Sequence, residues 1–207
     1  MRIYKETIQA VTASGKIEYQ CHLLHTGITD IRKYETEDYC TALCKRGCAN
    51  YENKWSCPPY APSYYEFAKD YKTIIPCLLT VDMGQFDYIN SDYFKTRAAK
   101  SILKSRIDRA LRSLIGQGIS YIASGSCRLC KSCKCKLQEA CIHPDIMGYS
   151  FEALGIDVAG MVNDLFGIPL PKYKKDALPR YTGVVAGLVC KEDYDMDRII
   201  SALNNLK

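Results

Sequence analysis

Two runs of cysteine constrain this chain more than any other feature. One reads Cys40-x3-Cys44-x3-Cys48-x8-Cys57, and the other Cys127-x2-Cys130-x2-Cys133 with Cys135 and Cys141 following. Any fold of the 207 residues has to give these thiols a use, because twelve cysteines are far more than packing requires. In a reducing compartment dense thiols point to metal ligation or catalysis before disulfides, since the glutathione and thioredoxin pools keep them reduced. The N-terminal stretch MRIYKETIQAVTASG lacks the basic-then-apolar layout of a signal peptide. No window approaches the roughly 20 apolar residues of a membrane span. The expected compartment is the cytoplasm, with no membrane association.

Apolar content of 47% suffices for a packed core, and the pattern along the chain predicts one α/β domain over residues 1–207. Its expected form is a small central sheet flanked by helices, with two cysteine-rich metal-ligand loops at 40–62 and 127–148. KIEYQCHLLH, TIIPCLLTVDM, ISYIASG and YTGVVAGLVC read as strands, with Pro76 pushing the second towards an edge or a bulge. Ser63 is placed to cap a helix over YYEFAKDY. A long helix runs from about Asp92 to Ile115, its apolar stripe Phe94, Ala98, Ala99, Ile102, Leu103, Ile107, Ala110, Leu111, Leu114 and Ile115 repeating at three and four. YSFEALGIDVAGMVNDLFGI suggests two short helices broken at Gly155, with Ser150 and Asp157 as caps, and MDRIISALNNL closes the chain as an amphipathic helix.

The second cysteine run is the more specific. Three thiolates at every third position can wrap one face of a cuboidal iron-sulfur cluster, and a more distant cysteine, here Cys141, supplies the fourth ligand. Structural zinc, the competing reading, prefers two well-separated pairs. Cys135 breaks the regularity and reads as a spare thiol. In the first run, Cys40, Cys44, Cys48 and Cys57 again match the four-ligand demand of a 4Fe-4S cluster. A three-cysteine site with an open iron is the sharper variant. Cys21, Cys77 and Cys190 lie in apolar strand-like runs and read as small buried hydrophobes.

The segments CANYENKWSCPPYAP, SGSCRLCKSC, CIHP and SFEALGIDV together resemble the predicted metal-binding proteins grouped as domain of unknown function 2284. The likeness spans roughly Cys40 to Val158 and extends weakly to the late strand. It implies metal binding, with the family's cysteines falling on Cys44, Cys48 and Cys57 and on Cys127, Cys130, Cys133 and Cys141.

Charge is unevenly placed: the net charge is +5, but between Lys95 and Lys136 eleven Lys or Arg face one acid, Asp108. Arg128, Lys131, Lys134 and Lys136 would offset the net charge of about −2 that an oxidised cubane carries with four thiolates. The basic helix face is read as a solvated surface or a docking patch for an anionic partner. The expected function is a protein of one or two 4Fe-4S clusters passing electrons to a redox partner. The alternatives are an enzyme acting on a small-molecule substrate through an open iron, with Tyr60, Glu152, Asp157 and His143 as candidate proton-transfer groups, and a zinc-stabilised RNA-binding module. Nucleic acid is the less favoured partner, though the basic face over 95–136 leaves it open. No dinucleotide fingerprint, Walker loop, nucleophile elbow, H-E-x-x-H or C-x3-C-x-x-C motif is present.

Overall fold

The protein is described by a computed structural model over residues 3–12, 15–171 and 177–206. Strands β1 (Ile3–Thr12) and β2 (Gly15–Leu24) form an antiparallel hairpin registered from Ile3↔Leu24 to Thr12↔Gly15. Gly15 sits at φ +119°, a conformation that side chains beyond glycine rarely adopt. On β2, Ile17, Tyr19, Cys21 and Leu23 alternate inward as the period-2 geometry requires. The chain continues through β3 (Thr26–Gly27), α1 (Ile28–Arg32), α2 (Glu37–Lys45), α3 (Tyr64–Ala68) and β4 (Thr73–Asp82). Then come α4 (Asp92–Arg112), β5 (Ile119–Ala123), β6 (Tyr149–Ser150), α5 (Val158–Phe166), β7 (Tyr181–Cys190) and α6 (Met196–Asn204).

The seven strands make one sheet in the order β1-β2-β4-β7-β5-β6, with β3 also paired to β4. Every pairing is antiparallel except β5 with β6. The architecture is therefore mixed α/β, and the sheet carries a core on each face. Ile75, Cys77, Leu79 and Val81 of β4 join Val184, Ala186 and Leu188 of β7 beneath α4 and α6. Ile74, Leu78, Val185 and Val189 point the other way, into a second core with Ile31 of α1, Tyr64 of α3 and Met161, Val162 and Phe166 of α5. Burial on both sides is why β4 reads as a continuous apolar run instead of an alternating one. Cys21, Cys77 and Cys190 are all within this interior, the first two with their sulfurs 3.8 Å apart.

The structure corrects several sequence expectations. Pro76 lies in a central strand, neither at an edge nor in a bulge, paired with Gly187 of β7. On its other flank the β2 pairing ends at Leu23↔Cys77 and the β3 pairing begins at Thr26↔Ile74. The residue without an N–H thus coincides with the seam between two partner strands, where a ladder bond is already missing. Of the two helices read around Gly155, only α5 forms, with Asp157 accepting from the N–H groups of Ala159 and Gly160. Ser150 belongs to β6 and caps a turn, its hydroxyl accepting from Ala153 N. The first cysteine loop starts later than expected, because Cys40 and Cys44 are on α2. Helix α4 ends at Arg112, and Phe94 is 56% exposed instead of buried. Ser63 caps α3 as expected, accepting from Glu66 N, although the helix stops at Ala68.

Both cysteine segments hang from this frame. Loop two is the crossover from β5 to β6, and Asp108 of α4 fixes its start by accepting from Ser124 N at 2.8 Å. Helix α2 is held through its N-terminal approach, where Thr36 N donates to Gly155 O and Asp157 N donates to Tyr34 O. Gly155 has φ +84°, and a Cβ there would stand 3.0 Å from the Cα of Glu37 at the start of α2. Gly155→Ala is therefore expected to destabilise the protein by about 2 kcal/mol or more through left-handed strain and displacement of α2. Urea unfolding monitored by circular dichroism reads that loss as a lowered midpoint.

Candidate metal centre

Loop two folds so that Cys127, Cys130, Cys133 and Cys141 line a single cavity together with His143 and Met147. The C-x2-C-x2-C run achieves this without a long helix, using bends that finish in a single 3₁₀ turn over Lys134–Leu137. His143 N lies 3.5 Å from Cys141 Sγ and donates to it, and Cys141 Sγ lies 3.9 Å from Met147 Sδ. Lost hydration and the neighbouring thiols Cys127, Cys133 and Cys141 push the Cys130 thiol above its usual range, while Lys54 pulls it down.

The first run divides. Cys44 feels lost hydration first, then Cys48 and Cys40. Cys57, 7% exposed, is pushed up to about 11 by burial, with Cys48 and Cys44 adding to the rise and Ser56 and Lys54 opposing it. Cys44, Cys48 and Cys57 therefore form a neighbourhood, whereas Cys40 is turned to Thr36, whose hydroxyl is 3.6 Å from its sulfur. Burial raises the Cys40 thiol, and Asp157 and Glu152 add to that. Among the described residues no three Cys, His, Asp or Glu side chains converge tightly enough for one metal ion.

The two loops are bonded to each other over much of their length. Lys54 Nζ donates to the Cys127 carbonyl at 2.6 Å and to Ser126 Oγ at 3.3 Å. Cys127 N donates to Ser56 Oγ at 3.1 Å, and Trp55 Nε1 donates to the Glu139 carbonyl at 2.8 Å. Cys135, fully buried, turns its thiol to the Glu52 carbonyl at 3.6 Å. Its expected role as a spare thiol takes the form of a fastener between loops. Gln138 reaches the Tyr60 hydroxyl at 3.4 Å, and the Tyr60 ring packs edge-on to Trp55 with centroids 4.7 Å apart. None of the twelve cysteines is disulfide-bonded.

Charge compensation is arranged differently from the sequence expectation. Lys131 and Lys136 do line the thiol cavity, joined by Lys54. Lys134 is paired with Glu139 at 2.6 Å, and Arg128 lies over a different cavity. Of the candidate proton-transfer groups, Asp157 is occupied as the cap of α5 and Tyr60 as the support of Trp55. His143 lines the cavity, and Glu152 is exposed, its charge acting on the Cys40 and Cys44 thiols. Lys54, Trp55 and Ser56 were the residues the cysteine pattern did not single out. Their clue was local: a cation, an indole donor and a hydroxyl sit immediately before Cys57, where a metal loop needs something to hold it.

Fold and thiols together define a cysteine-rich α/β protein whose two thiol-bearing segments form one unit. The sequence model of the predicted metal-binding protein family, domain of unknown function 2284, matches residues 28–186, and the chain belongs to that family. The match takes in both cysteine runs and ends within β7. No curated protein and no solved structure matched the chain. Among the described residues no helix is long and apolar enough to cross a membrane.

The seam between the loops makes a direct prediction. Lys54→Met leaves the Cys127 carbonyl without its charged donor and is expected to cost about 1.5–3 kcal/mol. Lys54→Arg is expected to recover part of the loss, both read from urea midpoints alongside retained metal per chain.

Proposed function

We propose that the protein is an iron-sulfur protein that passes electrons to a partner. The observation that carries this is the lining of one cavity by Cys127, Cys130, Cys133 and Cys141, with Lys54 and Ser56, just before Cys57 of the first run, bonded to Cys127. Thiolates spread around a cavity suit several irons better than one tetrahedral zinc, whose thiolate bonds of about 2.3 Å draw all four sulfurs to a point. In this reading the loop-two thiols hold a 4Fe-4S cluster and the loop-one thiols a second. Such clusters supply one-electron transfer when bound. The chain's own residues do the rest: Lys54, Lys131 and Lys136 balance thiolate charge, and the His143 amide stabilises the Cys141 sulfur by hydrogen bonding. Leu137, Ile142 and Ile146 of loop two are exposed, as contact with another protein surface would require. A cytoplasmic setting suits twelve unpaired thiols.

A second reading has its own observation. Cys40 is turned to Thr36, leaving Cys44, Cys48 and Cys57, of which Cys48 acts on both others, beside the Glu152 charge. Three thiolates would leave one iron open as a Lewis acid, and the protein would then be an enzyme. The zinc-stabilised RNA-binding reading gains less. Tyr19, Tyr64 and Tyr121 are buried packing groups, and Lys95, Arg106 and Arg112 of α4 are engaged with Asp87, the Val11 carbonyl and the Tyr121 hydroxyl.

Protein purified without oxygen is expected to carry about eight irons and as much sulfide per chain, with EPR signals after dithionite. Stoichiometric zinc without sulfide would sink both iron readings. Separately, Cys57→Ser and Cys133→Ser should each lose roughly half the iron. Cys40→Ser separates the two iron readings, because an open-iron site keeps its full iron content without Cys40 and a four-thiol site does not.

A further inference from the structure

A second cavity lies between α4 and the opening of loop two, and its chemistry differs from that of the thiol cavity. Arg97, Lys100 and Lys104 line it from α4, and Arg128 closes it from the residue after Cys127. Positions 97, 100 and 104 stand at i, i+3 and i+7, so one stripe of the helix presents all three cations. No acidic side chain is among the lining residues, and among the described residues none of the four cations forms an ion pair. The cavity encloses about 350 Å³, a size that takes a small molecule.

Four like charges around one concavity are unfavourable unless something offsets them. Lys104 is the clearest case: lost hydration and then the Arg128 charge hold its ammonium below its usual range, with Lys100 adding to that and Glu152 and Asp108 only partly countering it. The Lys104 ammonium lies against Gly125, where a Cβ would stand 3.1 Å from its Nζ. Elsewhere on α4 the cations have been put to structural use, Lys95 with Asp87 and Arg112 with the Tyr121 hydroxyl. The uncompensated charge is thus gathered where the surface is concave. The stripe from Arg97 to Lys104 covers only about 10 Å of helix, which suits one small anion better than the repeating phosphates of a nucleic acid.

We infer that the cavity lined by Arg97, Lys100, Lys104 and Arg128 binds a small oxyanion-bearing molecule, a phosphate ester or a carboxylate. Tyr93, Thr96 and Ser101 line the rest of the cavity, with Arg97 standing over the Tyr93 ring at 5.7 Å and the Thr96 hydroxyl donating to the Asp92 carbonyl. Its position beside the thiols is direct: Arg128 follows Cys127, and the Glu152 charge acts on both the Lys104 ammonium and the Cys44 thiol. A ligand held there would lie next to the metal-ligand loops.

Isothermal titration calorimetry on the metal-loaded protein at constant ionic strength tests this. Inorganic phosphate and malonate are the two small probes, and a twelve-nucleotide single-stranded RNA is the third. One-to-one binding of phosphate or malonate is expected, and which of them binds more tightly identifies the ester or the carboxylate source. Lys104→Met and Arg128→Gln should each weaken it at least about tenfold, the effect of losing one charged contact. Lys95→Gln, on the same helix but outside the cavity, should not. Arg97→Gln is exposed enough to leave folding untouched, and its loss of affinity is the readout if Lys104→Met is unstable. Failure of both small probes to bind, or affinities that these cavity variants leave unchanged, overturns the inference. So does RNA binding that depends on Lys104 while phosphate and malonate do not bind. Heat of binding reports on this cavity whatever metal the thiols hold.

Discussion

Strands β4 and β7 pair without interruption from Thr73↔Cys190 to Asp82↔Tyr181, and the rest of the molecule depends on that ladder. Both strands are buried on both faces, so each must be covered twice: by α4 and α6 on one side, by α1, α3 and α5 on the other. Each covering helix recovers roughly 25 cal/mol per Å² of apolar area removed from water, and none could do so without a sheet already flat enough to receive it. The two-sided cover also decides where function can go. With both faces occupied, exposed thiols are left to the end of β5, to the crossover back to β6, and to α2 with the loop after it. Helix α2 contributes nothing to either core and can be given over to carrying Cys40 and Cys44.

What the sequence disclosed follows the same division. Helix α4 and strands β4 and β7 were legible because their apolar patterns are dictated by burial, and burial is what periodicity records. Asp157 and Ser63 were legible because a cap is a local hydrogen bond between near neighbours. Three features were not. Pro76 argues against a central strand from local rules alone, and only the seam between β2 and β3 explains its acceptance. Ser150 to Gly155 carries helix-forming residues, yet Ser150 is drawn into pairing beside Ala123, so tertiary contact overrides propensity. Phe94 fits the apolar stripe of α4 by spacing, but it lies in the first turn, where the helix has yet to reach the core it covers from Thr96 and Ala99 onward.

The thiol pattern sorted the second cysteine run well, because close spacing along the chain leaves little freedom in space. The first run was harder. Its spacing treats Cys40 as the equal of Cys44, and it is the approach to α2, fixed by Thr36 on Gly155, that turns Cys40 towards Thr36. Nor does any spacing predict that residues 52–60 and 126–139 bond to each other. That contact joins positions some eighty residues apart, and its donors Lys54 and Trp55 and its acceptor Ser56 are ordinary residues made significant by what they face.

The basic segment from Lys95 to Lys136 looks like one feature in the sequence and is several in space. Some of its charge is spent on structure, with Lys95, Arg106, Arg112 and Lys134 each satisfied by a carboxylate, carbonyl or hydroxyl. Some is turned to the thiol cavity, where Lys131 and Lys136 join Lys54. Arg109 lies outside both cavities, and Arg97, Lys100, Lys104 and Arg128 face a cavity that contains no acid. These groups are worth distinguishing because the first would persist in any stable fold of this shape, whereas the other two make sense only if something negative belongs beside them. On the proposed metal-binding reading, ligating thiolates would provide that negative charge for Lys54, Lys131 and Lys136. For the group around Lys104 the chain itself offers the charges of Glu152 and Asp108, and Glu152 is shared with the thiol side, so a bound anion as inferred above would complete the balance.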